Sequence, residues 1–85
     1  MISSVILTIK INKSKNEYDM ELPANMKISE LSIKILESLR NLEAEIFQSV
    51  NRIGLKFYKT DSILGGDETL ESAHVWSGSI LTVLY

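Results

Sequence analysis

Hydrophobic residues along this chain repeat first every two positions, then every three to four, then every two again. Val5, Leu7, Ile9 and Ile11 alternate with Ile6, Thr8 and Lys10. Period two in β-branched residues predicts a half-buried strand with its odd positions inward. The polar cluster Asn12–Asn16 is short enough for a hairpin, so the next strand runs antiparallel. In that strand Tyr18, Met20 and Leu22 alternate with Asp19 and Glu21, until Pro23 removes a ladder donor and ends it. The period then lengthens: Ile28, Leu31, Ile35, Leu39, Leu42 and Ile46 trace one face of an amphipathic helix. Ser29 is the expected N-cap, with Ile28 and Ile33 stapled across it, and Ile33 and Leu36 widen the apolar stripe. Asn41 weakens the pattern, which predicts one long helix or a break between Leu39 and Ala44. Helical character continues over Glu43–Val50 and Gly54 bounds it.

Leu55, Phe57 and Lys59 alternate with Lys56 and Tyr58 as a third strand. Ile63-Leu64 is a very short strand, and Gly65-Gly66 is a loop whose glycines are expected to tolerate positive φ. Thr69–Ser72 is expected to form one short helical or 3₁₀ turn, Ser77-Gly78 another turn, and Ile80–Tyr85 the last strand. The final strand buries best beside and parallel to the first. The expected fold class is α+β: a roll in which a mixed sheet of four to five strands packs on one main helix. Its core is expected from Val5, Leu7, Ile9, Tyr18, Met20, Leu22, Ile28, Leu31, Ile35, Phe57, Leu64, Leu70, Val75, Leu81 and Val83. Inward Leu7, Ile9, Leu81 and Val83 force Ile6, Thr8, Lys10, Thr82 and Leu84 outward, and inward Phe57 puts Tyr58 outward. These six residues are the candidate protein-interaction surface on the sheet face opposite the helix, and Trp76 is a secondary candidate anchor.

At 85 residues the chain is expected to form a single domain, 1–85, with little room for a deep cleft. It contains no Cys, which excludes disulfides, thiolate metal sites and Cys nucleophiles. Net charge is −2 with scattered basic residues, so neither nucleic acid nor an anionic membrane is an expected partner. No apolar run is long enough for direct membrane insertion, and the start MISSVILTIKINK lacks the basic region of a signal peptide. His74 is the only imidazole; without convergent partners it reads as a turn residue rather than a metal ligand or catalytic base. Glu43/Glu45 and Asp67/Glu68 lack the spacing of a calcium loop and read as solvated faces. Ser3, Ser4, Ser77 and Ser79 lack a recognisable base. No catalytic, metal or cofactor site is expected, and the chain is expected not to be an enzyme.

The element order and spacing resemble the ubiquitin-like β-grasp fold. Glu68–Ser72, Val75 and Ser79–Leu84 look like the ubiquitin stretch with a Thr-Leu-Ser-Asp turn and the final strand. The segment YDMELPANMKISELSIKILESL, with its Tyr-Asp-x-x-x-Pro-Ala element at Tyr18, Asp19, Pro23 and Ala24, is similar to the YukD/EsaB proteins of bacterial type VII secretion systems. The resemblance implies a cytoplasmic, non-enzymatic accessory or regulatory protein of such a system, acting by protein-protein interaction. It implies a protein partner, a secretion ATPase or a membrane subunit, and related domains occur on a membrane-channel subunit. It also places Tyr58 and Leu84 where ubiquitin-like folds commonly present apolar contacts. Trp76-Ser77-Gly78 spells the W-x-G of the exported substrates, but there it joins two long helices; here a strand follows at once, so it reads as coincidence. The alternatives are a ubiquitin-like modifier or sulfur carrier, disfavoured because no Gly-Gly tail follows the last strand at Tyr85, and an interaction domain unrelated to secretion. The oligomeric state is open.

Overall fold

The computed structural model describes residues 3–85. Strands β1 (Ser4–Ile11) and β2 (Glu17–Pro23) form the antiparallel hairpin. Helix α1 (Ile28–Leu42) and the short α2 (Ala44–Phe47) follow, then β3 (Gly54–Phe57), β4 (Ser62–Ile63) and β5 (Ile80–Leu84). The strands join in the order β2-β1-β5-β3-β4. β5 lies parallel to β1 and antiparallel to β3, as its need for two partners requires. Alternation decides which side chains meet the helix. Val5, Leu7, Ile9, Ile11, Leu55, Phe57, Leu81 and Val83 are buried against Ile28, Leu31, Ile35 and Leu39 of α1. Each large side chain removed from water contributes roughly 1.5–3 kcal/mol, so this layer holds sheet and helix together.

Tyr18 and Met20 are only partly buried, because β2 is an edge strand at the margin of the helix; the other expected core residues are buried. Leu36, Ala24 and Phe47 join the core as well, and the Phe47 ring packs at 5.2 Å from that of Tyr85. Ile33 and Leu42 do not: both are exposed, so the buried stripe is narrower than the apolar spacing suggests. Nor is Ser29 the N-cap. Lys27 occupies that position without a side-chain hydrogen bond. The loop before the 70–74 turn does the capping instead: Ile28 N–H donates to Glu68 O at 2.8 Å and Ser29 N–H to Gly66 O at 3.1 Å.

The helix breaks inside the expected window. Glu43 leaves helical geometry (φ −136°, ψ 61°) while its N–H still donates to Leu39 O at 2.7 Å. Its carboxylate is held by the hairpin. Asn16 Nδ2 donates to Glu43 Oε2 at 2.6 Å, and the Tyr18 hydroxyl donates to the same oxygen. That hydrogen bond, with lesser contributions from burial and the nearby negative charge, raises the Tyr18 pKa above its ordinary value of 10.0. A raised folded-state pKa gives stability that is complete below pH 10 and lost as pH rises through the folded value. Wild type should therefore lose more melting temperature between pH 8 and pH 11 than Tyr18→Phe does. Parallel losses in the two proteins would deny the contact that role.

β3 stops at Phe57 rather than reaching Lys59, because Asp61 turns the chain at φ 53° and donates its N–H to Phe57 O at 2.9 Å. The short strand β4 is displaced by one residue from Ile63-Leu64 to Ser62-Ile63, leaving Ile63 exposed and Leu64 buried. Left-handed backbone occurs at Lys13, Asp61, His74 and Gly78, not at Gly65 or Gly66, whose loop turns without it. At Gly78 (φ 91°) an added Cβ would meet nothing within 4 Å, so the cost of Gly78→Ala is conformational alone. Thermal melts should show a loss of about 1–2 kcal/mol; an unchanged melt would mean the loop readjusts freely.

Candidate protein-docking face

Sheet register assembles the outer face strand by strand. Glu17 of β2 stands opposite Lys10 of β1, Lys10 opposite Thr82 of β5, Thr82 opposite Lys56 of β3, and Lys56 opposite Ile63 of β4. A neighbouring row runs Asp19–Thr8–Ile80, and Ile6 lies opposite Glu21 beyond it. Leu84 stands opposite Gly54 at the other end. Gly54 stands between Leu84 and Ile63: a Cβ there would lie 3.9 Å from Leu84 Cβ and 3.7 Å from Ile63 Cγ2.

The face is graded in chemistry. β2 contributes three outward carboxylates, Glu17, Asp19 and Glu21. Two of them accept hydroxyl hydrogen bonds from β1: Thr8 Oγ1 donates to Asp19 at 2.9 Å and Ser4 Oγ to Glu21 at 2.8 Å. The middle strands carry Ile6 (55% exposed), Thr8, Lys10, Ile80, Thr82 and Leu84. Lys56 pairs with Asp61 at 2.8 Å, a surface contact that orients its ammonium and adds little stability. An apolar and hydroxylated band flanked by both charge signs suits another protein surface: the aliphatic side chains supply area and the charges set orientation.

Five of the six sequence-derived residues, Ile6, Thr8, Lys10, Thr82 and Leu84, are brought onto this face by the ladders. Tyr58 lies one residue past the end of β3, exposed, with its ring edge-on to Phe57 at 5.6 Å. Trp76, 39% exposed, sits in the loop that meets the start of the face: Ile6 N–H donates to Ser77 Oγ at 3.1 Å and Gly78 N–H donates to Ile6 O at 2.9 Å. Ser77 thus has a structural partner, and the two candidate surfaces adjoin. Ile80 and Ile63 were missed. Counting alternation from Leu81 would have found the first; Ile63 needed the one-residue shift of β4.

His74 is an exposed turn residue at φ 58°. Glu68 Oε1 accepts from Gly65 N–H at 2.7 Å, closing its own loop. Among the described residues no cluster of three or more His, Asp or Glu could hold a metal ion, and no helix is long and apolar enough to cross a membrane.

A five-stranded mixed sheet in this order, packed on one main helix, defines a ubiquitin-like β-grasp domain. Solved structures agree on the fold. The EccD5 ubiquitin-like domain from Mycobacterium xenopi matches with a TM-score of 0.74 at 16% identity, covering 94% of this chain and 91% of that one. The ubiquitin-like domain of the Mycobacterium tuberculosis type VII secretion system protein EccD1 matches at 0.73 and 18%, covering 99% and 100%. Caldiarchaeum subterraneum ubiquitin matches at 0.68 and 17%, covering 95% and 91%. Comparison with curated proteins returns no match. The family model for YukD, a protein of the WXG100 protein secretion system, matches residues 5–83, and the chain belongs to that family.

Proposed function

We propose that this chain is a non-enzymatic accessory or regulatory component of a type VII secretion system, working in the cytoplasm by binding another protein of the machinery through the outer sheet face. The observation that carries this reading is the continuous row Glu17–Lys10–Thr82–Lys56–Ile63, in a member of the YukD family. The fitting partners are the secretion ATPase and a membrane subunit. The face offers hydroxyls, aliphatic side chains and paired charges, but no convergent nucleophile and base, so its chemistry is recognition. The test is genetic. A strain lacking the chain should lose export of the small W-x-G substrates and regain it when the wild-type chain is supplied. Undiminished export in its absence would overturn the proposal.

A further inference from the structure

A second surface lies at the opposite edge of the sheet. Helix α1, the segment entering β3 and the β4 turn enclose a groove of about 440 Å³. Ile33 of α1 and Ile63 of β4, at 60% and 61% the two most exposed large hydrophobic side chains among the described residues, both line it. The buried side chains of Leu36 and Leu55 also line it.

Two hydrogen bonds tie α1 to the segments on either side of it. Arg40 Nη2 donates to Val50 O at 2.7 Å, and Ser29 N–H donates to Gly66 O at 3.1 Å. These two ties anchor α1 to both neighbouring segments. Gly54 and Gly66 also line the groove. Neither has positive φ, and an added Cβ would make only ordinary contacts, at 3.7 Å and 3.5 Å. The backbone does not require glycine at these two positions, and a Cβ at Gly54 would stand on the outer sheet face between Leu84 and Ile63 rather than fill the groove.

Size and charge select the occupant. Along α1 the lining runs from Ile28 to Leu36, roughly 12 Å at 1.5 Å per residue, so the occupant is short. Arg52 is the only charged residue lining the groove. It is exposed, and among the described residues it forms no ion pair. The N–H groups at the start of α1 are already bonded to Glu68 and Gly66, so the guanidinium is the groove's means of reading an anion.

We propose that this groove takes a short segment of a protein partner, placing two apolar side chains against Ile33 and Ile63 and a carboxylate against Arg52. The site shares Ile63 with the end of the sheet-face row but is otherwise lined by different residues, and it does not depend on that reading.

The experiment is selection of a phage-displayed random heptapeptide library on the intact chain. Enriched sequences should carry Asp or Glu beside two apolar residues. Synthetic copies should bind Ile33→Glu and Arg52→Glu about tenfold or more weaker than wild type, and Arg52→Glu used as bait should instead enrich Lys or Arg. Both altered side chains are exposed, so both variants should melt as wild type does; Ile33→Ser substitutes if the acidic variant fails to fold. The selected peptides should bind Thr8→Lys as well as wild type, which separates this groove from the sheet face. The proposal is overturned if nothing is enriched, if the enriched peptides lack an acid, or if the groove variants bind them undiminished. It is overturned equally if the chain self-associates in a concentration-dependent way that Ile33→Glu abolishes, because a second copy is then the occupant.

Discussion

Leu31→Ala and Leu81→Ala are each expected to cost about 2–5 kcal/mol in chemical denaturation, a large part of the stability of a domain this small. Leu31 is fully buried on the face of α1 that meets the sheet, and Leu81 is fully buried on β5, between β1 and β3. β5 is the strand on which the sheet depends most, since it pairs Ile9 through Leu81 on one side and Phe57 through Leu81 on the other. Removing three carbons there leaves a void beneath two strand pairs that cannot collapse without breaking both ladders. By contrast Ile33→Ala, on the exposed side of the same helix, should change stability by less than about 0.5 kcal/mol. Losses below about 1 kcal/mol at both leucines would contradict the packing described.

The second large effect concerns function without stability. Thr8→Lys is expected to leave the fold intact and abolish export of W-x-G substrates. Thr8 lies near the centre of the outer face, opposite Asp19 on one side and Ile80 on the other. A lysine there would satisfy Asp19 yet project a flexible charge over the apolar band, which a docking partner would have to desolvate or displace. The double change Tyr58→Ser with Leu84→Ser removes apolar area instead of adding charge, and should give the same loss. A circular dichroism spectrum and thermal melt near wild type must accompany each result. Folded variants that export normally would remove this face from the proposal and turn attention to Trp76.

The sequence carried the strand faces well because period two admits only two choices, and a chain of Val, Leu and Ile at odd positions makes one of them far more favourable. The same logic placed Ile6, Thr8, Lys10, Thr82 and Leu84 together, once β5 was known to lie between β1 and β3. Where local signals competed with tertiary contacts, it failed. Ser29 is a good N-cap by type, but carbonyls from Gly66 and Glu68 took its role. Ile33 fits an apolar stripe, but no strand lies over that side of α1, so it stays in solvent. The end of β3 depended on Asp61 adopting a left-handed conformation, which Asp tolerates without announcing it. The groove beside Ile33 was not legible at all, because it is made by segments far apart in sequence.

The central claim, that the outer sheet face docks a component of the secretion machinery, is tested most directly by nuclear magnetic resonance. The cytoplasmic part of the secretion ATPase, and separately that of the membrane subunit, would be titrated into the ¹⁵N-labelled chain. One of the two should shift or broaden the amides of Ile6, Thr8, Lys10, Ile80, Thr82 and Leu84, and the Thr8→Lys chain should show no such response. Perturbation confined to α1 and the α1–β3 groove, or no response to either protein, would contradict the account.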